Sequence, residues 1–109
     1  RAGGDPALGR SERAAAERAL EEWIAARRGV EVFVEPRTTV TSTTMLLVAH
    51  DGEFTRRPVA DAAAARAFAR AHTLPVYDAA IVGYPQRMRD YSRRQTLLRK
   101  QSERGATDA

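Results

Sequence analysis

The chain has no cysteine, which removes a disulfide framework, a thiolate zinc site and thiol redox chemistry together. Aromatics are scarce, with one Trp, three Phe and three Tyr, and much of the apolar content is alanine, so the core must be thin. No apolar run approaches the roughly 18 residues that span a bilayer, and residues 1 to 10 contain no apolar segment of the secretory kind. Lysine is nearly missing, with Lys100 the only one. The chain opens on arginine, as a fragment or a processed form would, and a cytoplasmic home is the simpler expectation.

Net charge is also missing from most of the chain. Residues 1 to 86 hold 11 basic and 11 acidic side chains. Residues 87 to 104 hold Arg87, Arg89, Arg93, Arg94, Arg99, Lys100 and Arg104 against Asp90 and Glu103, and with Asp108 the total is +4. A neutral domain with a basic appendage points to an anionic partner more than to chemistry. At 109 residues there is room for one domain, which buries a little over 60% of its unfolded surface.

Residues 1–10 are rich in glycine and read as a flexible leader. Ser11 is the expected N-cap of a first helix, with Arg27 and Arg28 in its last turn, Gly29 as its stop and Trp23 as its main anchor. The apolar period then changes from 3.6 to 2. Val30, Val32 and Val34 alternate with Glu31, Phe33 and Glu35 in a first strand, and a longer β-rich run follows from Thr38 to Ala49. Asp51-Gly52 signals a two-residue hairpin, and Glu53 to Arg57 returns as a third strand that Pro58 helps to end.

Asp61 can cap a second helix, Ala62 to about His72, stopped by Leu74-Pro75. Ala79-Ala80-Ile81-Val82 reads as a short apolar strand, and Gly83-Tyr84-Pro85 turns into a last helix over about Gln86 to Glu103. The expectation is a single α+β domain of order α-β-β-β-α-β-α: an antiparallel three-stranded meander plus a fourth strand, with helices packed on the sheet. The divisions are a leader over 1–10, the domain over 11–84, a basic amphipathic helix over 85–104 and a flexible tail over 105–109.

At 100° per residue, Arg89, Arg93, Lys100 and Arg104 fall within about 60° of one another, and Met88, Tyr91 and Leu98 lie nearly opposite. One side packs and the other is charged. Such a stripe suits a run of phosphates, and the expected partner is RNA or the ribosome, with Arg56 and Arg57 adding to the same surface. Neutralising about five phosphates gives a log-log salt slope near −4.5 on duplex DNA. The alternatives are a structural or interaction protein, as a homo-oligomer or with a protein partner, and a small enzyme.

The enzyme alternative rests on His50, Asp51 and Glu53, three proton carriers within four residues of the hairpin. Asp-Gly hairpins favour such residues for backbone reasons alone, and a zinc site wants a further His or Cys. The sequence contains no P-loop, dinucleotide fingerprint or nucleophile elbow, so no catalytic residue, cofactor or metal is assigned. The Thr38 to Thr44 hydroxyls can line a small-molecule site or accept phosphate, and otherwise serve as solvent-facing strand positions.

Three resemblances accompany this reading. The element order resembles the restriction-endonuclease-like core, yet Glu53-Phe54-Thr55 has threonine where that pattern places lysine. The first five elements resemble a double-stranded-RNA-binding domain, yet Asp61 and alanines open the second helix where that domain has lysines. More extensively, His50-Asp51-Gly52-Glu53-Phe54-Thr55-Arg56-Arg57, Pro75-Val76-Tyr77-Asp78 and Val82-Gly83-Tyr84-Pro85-Gln86-Arg87-Met88-Arg89-Asp90-Tyr91 resemble a small uncharacterised actinobacterial protein family. Some of its members carry an oxidoreductase label, which no flavin, nicotinamide or thiol motif here accompanies.

Overall fold

A computed structural model describes residues 9–108; most of the expected leader lies outside the described residues. The elements are α1 (Arg10–Ala25), β1 (Glu31–Glu35), β2 (Thr44–Val48), β3 (Phe54–Pro58), α2 (Ala62–Ala71), β4 (Val76–Asp78), α3 (Ala79–Val82) and α4 (Gln86–Asp108). The sheet has the order β3-β2-β1-β4, with β1–β2 and β2–β3 antiparallel and β4 parallel to β1. This is the expected α+β domain: a three-stranded meander, a fourth strand added through the α2 crossover, and helices on the sheet.

Strand alternation sorts the core into two layers. Val32, Val34, Met45 and Leu47 face α1 and α2, where Leu20, Ala65, Phe68 and Ala69 close the larger cluster. The other face carries Glu31, Phe33 and Glu35 from β1, Thr44, Leu46 and Val48 from β2, Phe54 and Arg56 from β3 and Tyr77 from β4, as the registers require. A small second core of Phe33, Leu46, Val48 and Ala79, with Phe54 and Met88 against it, occupies the middle of that face. Its flanks are polar.

Local signals place the helices with some corrections. Gly9, not Ser11, is the N-cap of α1: its backbone N–H donates to Glu12 Oε1 at 3.1 Å, and Glu12 sits at the third helical position, from which a carboxylate reaches back. The helix stops at Ala25, before the expected last turn at Arg27 and Arg28, and the Arg27 side chain turns to other partners. Its Nη2 pairs with Glu53 Oε2 at 2.7 Å, its Nη1 donates to the Trp23 carbonyl, and its guanidinium lies 4.3 Å from the Trp23 ring centre. Leu20, only 2% exposed, is the anchor of α1, while Trp23 is half-buried beneath that guanidinium. Asp61 caps α2 as expected, its Oδ1 accepting from Ala64 N at 2.8 Å.

Two expected strands change character. From residue 38 to 43 the chain is a loop and not the start of β2: Thr38 Oγ1 accepts from Val40 N and Thr41 N, so the hydroxyl takes donors that a ladder would use. Ala79 to Val82 form a helical turn and not a strand, because Asp78 Oδ1 accepts from Ala80 N and starts the turn as an N-cap. The fourth strand is therefore the three residues before it. α4 runs through Asp108, past its expected end near Glu103; no proline follows Arg104, and Gly105 is carried within the helix.

Candidate nucleic-acid interface

The basic helix is half docked and half free. At its start, Arg87 Nε donates to the Ala49 carbonyl at 2.9 Å, and Arg87 Nη2 pairs with Glu31 Oε1 at 2.6 Å. Tyr77 Oη donates to the other oxygen of Glu31 at 3.2 Å. Met88 joins the second core, and Arg94 Nη2 donates to the Asp51 carbonyl at 2.9 Å across the hairpin turn. The close approach depends on Gly52, which has φ +95°; a Cβ there would stand 1.9 Å from the Arg87 carbonyl oxygen and 2.9 Å from Tyr91 Cβ. The hairpin tip is thus the seat of α4.

Beyond Arg94 the helix outruns the sheet. Residues 95–108 extend about 21 Å at 1.5 Å per residue, and every side chain from Leu97 to Ala106 is exposed. Leu98 was expected to pack beside Met88 and Tyr91; it shares their side of the helix but is 57% exposed, because the body ends before it. Leu97 is 55% exposed. The molecule is accordingly elongated, 51 by 33 by 32 Å.

Arg89, Arg93, Lys100 and Arg104 all lie on exposed positions, on the side of α4 turned away from the residues that dock. Arg89 is held near the helix start, its Nε and Nη2 donating to Gln86 Oε1 and its Nη1 to the Tyr84 carbonyl. Arg93 Nη2 pairs with Asp90 Oδ1 at 3.0 Å, with 70% of the arginine side chain exposed, a contact that water and salt largely screen.

Arg56 and Arg57 are not brought to one surface. Register puts Arg56 opposite Leu46 and Arg57 opposite Met45, so they leave β3 on opposite faces. Arg57 Nη1 donates to Thr55 Oγ1 and to the Arg56 carbonyl. Arg56 reaches diagonally across β2 to Glu35, donating from Nε to Oε1 at 2.8 Å and from Nη2 to Oε2 at 3.0 Å. Thr44 Oγ1 and Tyr84 Oη each add a 2.6 Å bond to the same carboxylate. Burial pushes the Glu35 carboxyl up, but the bonds from Arg56, Thr44 and Tyr84 outweigh it and hold the group below its ordinary value. The bond that Tyr84 donates to Glu35 in turn pushes the phenol above its ordinary range.

This four-residue cluster borders a cleft of about 490 Å³ between the 38–43 loop and α3, with Ser42, Ala79 and Ala80 among its walls. Sequence reading missed Glu35, Tyr84 and Arg87 as organising residues. The one signal available was charge parity: an acidic residue at two outward positions of β1 requires cations on the facing elements once that face is covered.

The hairpin residues considered for catalysis border another open cleft with Arg27 and Arg28. Two of the three side chains already have local roles. Glu53 pairs with Arg27, and Asp51 Oδ1 accepts from Glu53 N at 3.0 Å, the bond that does most to hold its carboxyl below the ordinary value. His50 is exposed, and its backbone N–H donates to the Arg28 carbonyl. Among the described residues, no three His, Asp or Glu side chains converge as a metal site, and no helix is long and apolar enough to cross a membrane. Comparison of the chain with protein-family models, curated proteins and solved structures finds no match.

Proposed function

We propose that this protein is a non-catalytic binding module that engages RNA, free or in the ribosome, through the exposed side of α4. The observation that carries the reading is the half-docked helix. Its first two turns are fixed by Arg87, Met88 and the Gly52 seat and carry Arg89 and Arg93 on their outer side, so the following turns project as a rigid arm that continues the stripe with Lys100 and Arg104. A pre-ordered cationic rod loses little conformational entropy on meeting a phosphate backbone, and each phosphate it neutralises releases counterions. With a neutral body behind it, the arm provides the field that draws a polyanion in.

Four neutralised phosphates correspond to a salt slope of about −2.8 on a single strand, a loss of roughly fiftyfold between 50 and 200 mM salt. The test is fluorescence anisotropy of the whole protein with labelled RNA across that range. Replacing the four stripe residues with glutamine should abolish binding at about 50 mM salt and leave the thermal midpoint nearly unchanged, since exposed charges contribute little to stability. Equal binding by the quadruple variant would refute the reading.

Leu97 and Leu98, each more than half exposed on the projecting turns, favour a second reading: α4 pairs with another protein chain. Light scattering after size exclusion discriminates, because a dimer that survives high salt fits the leucines and not the stripe.

A further inference from the structure

We infer that the cleft beside Glu35 seats the ribose of an unstacked nucleotide, so that the protein prefers single-stranded RNA to single-stranded DNA; this rests on the reading of α4 as the phosphate-binding arm. Tyr84 connects the two places. Its carbonyl accepts from Arg89, the first residue of the stripe, at 3.4 Å, and its hydroxyl donates into the cleft cluster at Glu35. A strand that lies along α4 therefore meets the cleft mouth at the docked end of the helix.

The chemistry of the cleft suits a neutral, hydroxyl-bearing group and not another phosphate. Glu35 and Arg56 cancel each other in a two-bond pair, which leaves no net charge for an anion to seek. The hydrogen-bonding capacity that remains is of the mixed kind a sugar hydroxyl uses. Arg56 commits Nε and Nη2 to Glu35 and also bonds the Tyr84 hydroxyl, which leaves it spare N–H protons; Tyr84 Oη donates to Glu35, accepts from Arg56 and keeps one lone pair; Ser42 on the rim both donates and accepts. Thr38 and Thr41, by contrast, are tied to each other at 2.7 Å and shape the loop. Ala79, Ala80 and the Tyr84 ring, which is 40% exposed, supply an apolar wall for the carbon face of the sugar. The 2′-hydroxyl, donor and acceptor at once, is what separates RNA from DNA at such a site.

The experiment compares an unstructured oligoribonucleotide with the deoxyribonucleotide of the same order of bases, by anisotropy at about 50 mM salt. The wild-type protein should bind the ribose strand about five- to thirtyfold tighter, the equivalent of one or two hydrogen bonds. Tyr84→Phe should bring that ratio close to one. Ser42→Ala, on an exposed loop, should lower it without touching the Glu35 cluster, which covers the case in which Tyr84→Phe disturbs folding. Equal affinity of the wild type for the two strands overturns the ribose site while the arm stands. Failure of both strands to bind overturns the arm, and the ribose site with it.

Discussion

Replacing Gly52 with alanine tests whether α4 is seated on the hairpin. The new Cβ would lie 1.9 Å from the Arg87 carbonyl oxygen and 2.6 Å from its carbon, both backbone atoms that no rotamer change can move. Relief to ordinary contact requires the first turn of α4 to shift by more than about 1 Å, since carbon and oxygen settle near 3.3 Å or beyond. That displacement breaks the Arg87 bond to Ala49 and the Arg87–Glu31 pair, together about 2 kcal/mol at the lower end of what such bonds contribute. The positive φ adds roughly 1–2 kcal/mol for a residue with a side chain. Gly83 is the control: its φ of 75° and ψ of −167° are closed to alanine, but a Cβ there meets nothing within 4 Å. Gly83→Ala should therefore cost about 1–3 kcal/mol of backbone strain alone, and Gly52→Ala about 3–4 kcal/mol. Urea unfolding gives the two costs, and hydrogen exchange over residues 87–94 reports the loosened helix. If Gly52→Ala costs no more than Gly83→Ala and those amides stay equally protected, α4 is not held where the structure has it.

Further outcomes follow from burial and charge. The Glu35 carboxyl titrates below its ordinary 4.5 in the fold, so the unfolded chain binds the proton first; the stabilisation is complete above about pH 5 and is lost as pH falls through the folded value. Glu35→Gln should flatten the fall of the thermal midpoint below pH 5, and an unchanged acid limb would show that the cluster contributes nothing. Leu20→Ala should cost about 2–5 kcal/mol as a core truncation, whereas Leu98→Ala should stay within about 0.5 kcal/mol as an exposed substitution. A thermal melt that loses more with Leu98→Ala than with Leu20→Ala would mean that the arm is packed and not free.

What the sequence determined by itself was what local physics decides. The alternation of Val30, Val32 and Val34, the Asp51-Gly52 turn and the Asp61 cap each act over a few residues, so the meander and α2 are legible without any fold. The charge of α4 is equally legible, because it is a property of composition. Tertiary structure decided the rest, since each remaining feature depends on residues far apart in the chain. Leu98 and Met88 lie on the same side of α4, but only the length of the sheet leaves one exposed and the other packed. Arg56 and Arg57 are neighbours in sequence, yet the pleat sends them to opposite faces, and only the position of Glu35 on β1 takes Arg56 out of the basic surface. Periodicity sorts residues into faces; which face finds a neighbour, and which charge finds a partner, depends on how the strands are ordered and where the helices end.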